Sequence, residues 1–118
     1  AAEIAHQGWT VISDFLPPET IATLRGEAEQ LWQQDEFRRA GTGRLGGYAI
    51  RPEIRSDRIY WLDDQSPTEA QSLYRATIEE LRQEMNRELF LSLSTYEAHF
   101  AVYPAGAFYQ KHLDRFNN

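Results

Sequence analysis

The chain has 118 residues, enough for a single core, and its 12 basic and 18 acidic residues give a formal net charge of −6. This acidic balance argues against a general binder of nucleic-acid phosphates and against a protein drawn to anionic lipid, so neither partner is expected. The absence of cysteine excludes disulfides, zinc–cysteine sites and cysteine nucleophiles within the chain, and it suits a cytoplasmic location.

The first part of the chain predicts a strand, a helix and a loop. Segment 8–13 is rich in β-branched and aromatic residues, which favours a strand. Pro18 suits the first position of a helix, and apolar residues at steps of three and four predict that this helix runs from about 18 to 37. Segment 40–47 contains a G-x-G-x-x-G string, but a dinucleotide-binding fingerprint needs a strand before it and a helix after it. A mobile loop is therefore the favoured interpretation.

The middle of the chain predicts a strand followed by a long helix. Segment 55–62 is strand-like, and residues 63–65 are predicted to form a turn. Ser66 and Glu69 have the spacing of a capping box, with Ser66 as the N-cap. The following apolar stripe predicts a helix that packs against the core and ends at about Phe90.

The last segment predicts two strands, the second of which carries two metal-binding residue types. Segment 96–103 alternates as a strand, residues 104–107 form a turn, and a second strand begins at Phe108 with Gln110, His112 and Asp114 on the same face. Positions i and i+2 of a strand point the same way, so the imidazole and the carboxylate converge. They are two of the three ligand types of the 2-His-1-carboxylate iron site. An isolated H-x-D motif is equally compatible with a surface ion pair.

Two stretches resemble the prolyl-hydroxylase branch of the 2-oxoglutarate- and iron(II)-dependent oxygenases. Segment 100–114 has the Tyr-Pro pair, the short glycine-containing turn, the aromatic residue and the His-x-Asp of that branch. Segment 54–62 is similar to the Ile-Arg-Gly-Asp-x-Ile-x-Trp stretch of oxygen-sensing prolyl hydroxylases, with Ser56 in place of the glycine. The resemblance covers nearly the whole chain and is strongest to bacterial prolyl hydroxylases that act on a protein.

The resemblance implies roles for seven residues. His112 and Asp114 would be metal ligands, and Tyr103 would donate a hydrogen bond to 2-oxoglutarate. The others are candidates for contact with the substrate or its pocket: Arg55 and Asp57 on a mobile loop that closes over substrate, Tyr109 at the substrate approach and His99 as a pocket-lining residue.

Four of these residues also have an ordinary structural explanation. Tyr103 could simply pack on a half-buried strand, as tyrosines often do. Arg55 and Asp57 could form an ion pair of little net worth at a solvated strand end. For His99 a structural role is the favoured interpretation.

The resemblance implies an α+β fold that contains the N-terminal helices and strands of a double-stranded β-helix, a jelly roll of roughly eight strands. We expect one domain over 1–118, with supporting strands and helices at 1–95 and the first strands of the roll at 96–118. The family's distal histidine ligand and its 2-oxoglutarate-binding arginine would follow beyond Asn118. We therefore expect the chain to represent an N-terminal half that is inactive without its C-terminal half.

The implied activity is hydroxylation of a protein side chain, a prolyl residue, by a dioxygenase that uses Fe(II), 2-oxoglutarate and O2. Ascorbate is an additional candidate cofactor, and a translation factor is a candidate substrate protein. Two alternatives remain open: a non-catalytic binding module in which the H-x-D is an ion pair, and a cupin-type metal protein that uses no keto acid.

Overall fold

A computed structural model of the chain describes residues 2–39, 50–62 and 65–113. The predicted glycine-rich loop at 40–47 and the predicted ligand Asp114 lie outside these residues. The helices and strands are, in chain order, α1 (Ala2–Gln7), α2 (Pro18–Gln33), β1 (Arg38–Arg39), β2 (Arg58–Trp61), α3 (Glu69–Leu89) and β3 (His99–Val102). The three strands form an antiparallel sheet in the order β1-β2-β3, so the chain combines helices with a small antiparallel sheet.

The chain divides into two compact units that alternate along the sequence. One unit comprises Ala1–Glu29 and Asp63–Glu97, and the other comprises Gln30–Leu62 and Ala98–Asn118. Among the described residues, no helix is both long enough and apolar enough to cross a membrane.

The strand predicted at 8–13 is wrong. A short helix, α1, precedes this segment instead and ends at Gln7; the N–H of the next residue, Gly8, donates to the carbonyl of Ile4 at 2.8 Å. The φ angle of Gly8 is +88°, a value that glycine adopts without steric cost. In the described part of the chain no strand pairs with segment 8–13, and Val11 is 77% exposed. β-branched residues favour a strand only where a partner strand and a packed face exist.

Helix α2 begins where the sequence predicts. Pro18 is its first residue, and the carbonyl of Pro17 accepts from the N–H of Ile21 at 3.1 Å. Proline at this position loses no hydrogen bond, because the first N–H groups of a helix have no partner within it.

The same helix ends at Gln33, four residues before the predicted end at 37. Asp35 adopts a left-handed conformation with φ of 59°, and its N–H donates to the carbonyl of Trp32 at 3.1 Å. The N–H of Glu36 reaches the carbonyl of Leu31 at 3.0 Å. This pair of bonds is a Schellman motif, which ends a helix most often at glycine. Because no glycine marks this helix end in the sequence, the apolar spacing overestimates the length of α2.

Helix α3 has Thr68 as its N-cap, not the predicted Ser66. The hydroxyl of Thr68 accepts from the N–H of Gln71 at 3.2 Å and donates to the carboxylate of Glu27 at 2.8 Å. The side-chain amide of Gln71 donates to the same carboxylate at 2.9 Å. A carboxylate from α2 therefore fixes the start of α3, and sequence spacing alone does not show this contact.

The end of α3 agrees with the prediction. The helix stops at Leu89, and Phe90 adopts the left-handed conformation with φ of 55°. Asn86 then holds the following segment, because its side chain donates to the carbonyl of Leu93 and accepts from the N–H of Leu93, both at 2.9 Å.

The sheet is shorter than the strands predicted at 55–62 and 96–103. β2 pairs with β3 so that Tyr60 lies opposite Phe100 and Trp61 lies opposite His99. Phe37 is buried beside this sheet, with its ring centroid 6.1 Å from that of Tyr60 and 5.6 Å from that of Trp32. These aromatic contacts belong to the core of the second unit and pack Phe37 against Tyr60 of β2.

Candidate active site

The two motifs that carry the predicted chemistry are joined by a backbone bridge. Arg55 and Tyr109 form an isolated antiparallel bridge, in which the N–H of Ser56 donates to the carbonyl of Phe108 and the N–H of Gln110 donates to the carbonyl of Ile54, both at 2.8 Å. This bridge is the observed form of the second strand that the sequence predicts from Phe108. It brings segment 54–58 against segment 108–112, which are more than fifty residues apart in sequence.

A buried ion pair lies at the centre of this junction. The Nε of Arg55 donates to Oδ1 of Asp57 at 2.7 Å, and Nη2 donates to Oδ2 at 3.1 Å. Asp57 is only 1% exposed and its side chain is fully buried, while the side chain of Arg55 is 13% exposed. The hydrogen bonds to Asp57 raise the pKa of Arg55 above its ordinary value, although burial opposes them. The solvated strand end that the sequence leaves open as an alternative is therefore wrong.

Tyr109 links this ion pair to His112. The guanidinium carbon of Arg55 lies 4.3 Å from the centroid of the Tyr109 ring, a cation–π contact. The same ring stacks on His112, with centroids 3.8 Å apart and an angle of 11° between the planes. A regular strand would direct these two side chains to opposite faces. The strand predicted from Phe108 is therefore wrong beyond the bridge, because the chain departs from the extended form before His112.

The imidazole of His112 is also held by a hydrogen bond. Its Nδ1 lies 2.8 Å from the carbonyl oxygen of Gln110, which can only accept, so Nδ1 carries the proton in this contact. A neutral imidazole protonated at Nδ1 has its lone pair on Nε2. This is the usual arrangement for a metal-binding histidine, whose second ring nitrogen donates to a backbone carbonyl or carboxylate. The described geometry of His112 thus fits a metal ligand.

The predicted metal site is not seen among the described residues. Within 2–39, 50–62 and 65–113 no three residues of the His, Cys, Asp and Glu types form a group that could hold a metal ion. Asp114, the predicted carboxylate ligand, lies just outside the last of these ranges.

Tyr103 is affected by the same buried carboxylate. Burial and the negative charge of Asp57 both raise the pKa of the Tyr103 hydroxyl above its ordinary value, and Arg55 opposes them. The phenol therefore stays protonated over the whole neutral range and can donate a hydrogen bond. Four of the seven predicted site residues are in contact in this way, and Tyr103 lies within electrostatic reach of Asp57 and Arg55. We call these five the Asp57 cluster: Arg55, Asp57, Tyr103, Tyr109 and His112.

His99 lies elsewhere on the sheet. Its ring packs edge-on against Trp61, with centroids 4.9 Å apart and an angle of 89° between the planes. Trp61 and His99 pair at one end of the β2–β3 ladder, while Arg58 and Val102 pair at the other end, on the side of Tyr103. Three residues of strand correspond to about 10 Å, so the structure does not bring His99 to the Asp57 cluster.

Two polar residues to which the sequence assigns no role, Ser56 and Gln110, help to hold the junction. The hydroxyl of Ser56 accepts from the N–H of Phe108 at 2.9 Å, and the side-chain amide of Gln110 donates to the carbonyl of Glu53 at 2.7 Å. The only sequence signal was the serine that replaces a glycine of the family motif. A glycine could not supply that hydrogen bond, so the replacement strengthens the junction.

Comparison with known proteins agrees with the resemblance seen in the sequence. A prolyl-4-hydroxylase from Pseudomonas putida, known from its crystal structure, matches 97% of this chain with a TM-score of 0.86 and 38% sequence identity. The chain spans 58% of the length of that protein. No family model matches the chain, and no curated protein matches it. The predicted resemblance to prolyl hydroxylases is thereby confirmed for the fold of helices and small antiparallel sheet.

Proposed function

We propose that this chain is part of a 2-oxoglutarate- and Fe(II)-dependent dioxygenase that hydroxylates a prolyl side chain of a protein. The observation that carries the proposal is the Asp57 cluster, in which two separate prolyl-hydroxylase-like motifs meet. The similarity to the Pseudomonas putida prolyl-4-hydroxylase supports the same reaction class. The supporting elements of a jelly-roll fold and a cytoplasmic location form part of this proposal.

In the proposed site His112 would hold the metal through Nε2, and Asp114 would be the carboxylate ligand. Fe(II), together with 2-oxoglutarate and O2, supplies the oxidising power that a protein side chain cannot supply. The chain's contribution is orientation. The hydrogen bond from Nδ1 to Gln110 fixes the tautomer of His112, and the Tyr109 ring fixes the plane of its imidazole.

Tyr103 is proposed to bind the cosubstrate. Its hydroxyl is protonated at neutral pH, as for any phenol with an ordinary or raised pKa, so it can donate a hydrogen bond to a carboxylate oxygen of 2-oxoglutarate. Arg55 and Asp57 are proposed to anchor the segment before β2 against Tyr109. They thereby form one wall of the opening through which the protein substrate would approach.

The remaining parts of the proposal follow from the family resemblance. A distal histidine and a carboxylate-binding arginine are expected from the C-terminal part of the natural protein. A translation factor is a candidate substrate, and ascorbate is a candidate additional cofactor.

The test uses the natural full-length protein and measures succinate formed from 2-oxoglutarate in the presence of Fe(II) and prolyl peptides. We expect His112→Ala and Asp114→Ala to abolish succinate formation. His6→Ala is the matched control, because His6 lies on the exposed helix α1 and should leave turnover unchanged. Wild-type turnover in both ligand variants would contradict the proposal.

A second measurement separates this proposal from a cupin-type metal protein. Adding 2-oxoglutarate to the Fe(II) protein without oxygen should produce a visible charge-transfer band between metal and keto acid. If the wild-type protein binds iron and shows no such band, the protein does not use 2-oxoglutarate as proposed.

A further inference from the structure

A cavity rich in arginine is lined in part by Arg55 and Asp57. Its volume is about 230 Å³, several times the roughly 30 Å³ that one water occupies in the liquid. The residues that line it come from β1, β2 and the segment before β2: Arg39, Pro52, Arg55, Ser56, Asp57 and Arg58. We call it the arginine pocket.

Two of these arginines face each other directly across the sheet. Arg39 of β1 and Arg58 of β2 are register partners in the antiparallel ladder, so their side chains leave the sheet on the same face. Like charges in directly opposite positions destabilise a sheet. The neighbouring Arg38 does not add to this repulsion, because its Nη1 donates to the carbonyls of Asp35 and Phe37 at the end of α2.

The charges around the arginine pocket do not balance. Three guanidinium groups face a single carboxylate, and that carboxylate, Asp57, is already engaged by two donors of Arg55. In the part of the chain that the structure describes, no carboxylate lies within ion-pair distance of Arg39 or Arg58. An oxyanion between these two arginines would remove the repulsion and receive charge-assisted, bidentate hydrogen bonds.

We propose that the arginine pocket binds an oxyanion, and that this group is the carboxylate of an acidic side chain on the protein substrate. The source of the carboxylate rests on the proposed function, whereas the binding of an oxyanion does not. Arg55 both lines the pocket and contacts the Tyr109 ring of the Asp57 cluster. An acidic residue held in the pocket would therefore orient a nearby prolyl residue toward the candidate site.

The first test measures anion binding by the chain itself at low ionic strength. Acetate is titrated while the Nε–H signals of Arg39 and Arg58 are followed by NMR. We expect both signals to shift, and we expect Arg39→Gln and Arg58→Gln each to weaken acetate binding by about tenfold or more. Arg25→Gln removes one charge at an exposed position outside this unit and is the matched control.

Thermal unfolding of the same variants adds a signature that a purely structural arginine would not give. Without acetate, Arg39→Gln should raise the midpoint of unfolding because it removes the repulsion with Arg58. With acetate, the wild type should gain stability and the variant should not. Equal acetate effects on the wild type and both pocket variants would overturn the oxyanion site.

Two further experiments test whether the bound oxyanion is a carboxylate of the protein substrate. Inorganic phosphate that binds more than about tenfold tighter than acetate would overturn the carboxylate assignment. In the natural full-length protein, prolyl peptides with a neighbouring Glu should have a lower KM than their Gln counterparts, and Arg58→Gln should remove that difference while kcat is retained. Identical KM values for the two peptides in the wild type would overturn the substrate as the source. If the wild-type full-length protein shows no turnover while the chain still binds acetate, the proposed function is refuted and the oxyanion site is not.

Discussion

Asp57→Asn is the substitution that tests the buried ion pair most directly. The change keeps the size of the side chain and one acceptor oxygen but removes the charge that the guanidinium of Arg55 faces. Because the Asp57 side chain is fully buried and that of Arg55 is 13% exposed, water cannot readily replace the lost carboxylate. The variant therefore leaves a cation without its counter-charge in a largely dry environment.

The size of the effect follows from the geometry. Removing one member of a buried ion pair costs about 3–5 kcal/mol of unfolding free energy. Asparagine can still accept one of the two hydrogen bonds, which offsets about 1 kcal/mol. We therefore expect a loss of about 3 kcal/mol, which corresponds to a melting temperature lower by roughly 10 °C for a chain of this size.

The measurement is urea denaturation followed by the fluorescence of Trp32 and Trp61, which lie in the same compact unit as Asp57. Glu29→Gln is the control, because it removes one carboxylate from an ion pair with Arg25 whose side chains are 63% and 80% exposed. The control should cost no more than about 0.5 kcal/mol.

A double-mutant cycle completes the test. Because Arg55→Gln combined with Asp57→Asn leaves no unpaired charge, the double variant should be more stable than the sum of the single losses predicts, by about 2 kcal/mol. A loss in Asp57→Asn no larger than that of the control, together with a coupling energy near zero, would refute the inference that this pair is a dry anchor.

Two further predictions concern the contacts made by α3. Glu27→Gln removes the carboxylate that accepts from Thr68 and Gln71, and it should lower the free energy of unfolding by about 1 kcal/mol, measured by denaturation with circular dichroism at the helix signal. Hydrogen bonds from Arg82 lower the pKa of Glu79 to about 2, so the contribution of this carboxylate to stability is complete above its ordinary pKa and is lost as the pH falls toward 2. Arg82→Gln should move the NMR titration of Glu79 back toward the ordinary range, and an unchanged midpoint would show that Arg82 is not the cause.

Local signals in the sequence predict α2 and α3 well, but they do not predict α1, and they predict the strands less well. Pro18 at the first position of α2 and the apolar stripe of α3 depend on residues within one helix, so spacing alone reveals them. The strand predicted at 8–13 fails because strand formation depends on a partner that local composition does not specify. The N-cap of α3 fails for a related reason, because Glu27 selects Thr68 over Ser66 through a contact about forty residues distant in sequence.

The candidate site shows a similar division between residue identity and residue arrangement. The two motifs are sufficient to name five residues of one cluster, since motif resemblance carries over the positions that matter for chemistry. What the sequence does not predict is the arrangement: His112 lies under Tyr109 and not on the opposite face, and His99 lies with Trp61. These placements depend on a break in the strand after the Arg55–Tyr109 bridge, which period-two alternation cannot anticipate.

The burial of Asp57 is a feature that the sequence alone does not predict. An Arg and an Asp two residues apart predict a weak surface ion pair, and most such pairs contribute little. Asp57 is instead only 1% exposed, and the ring of Tyr109 lies over the guanidinium of Arg55. Once both groups are shielded from water, the same pair becomes an anchor for the segment that carries His112. Among the described residues, no carboxylate lies within ion-pair distance of Arg39 or Arg58. The ordering of the candidate site and the positive charge of the arginine pocket therefore have one physical cause, which is the burial of Asp57.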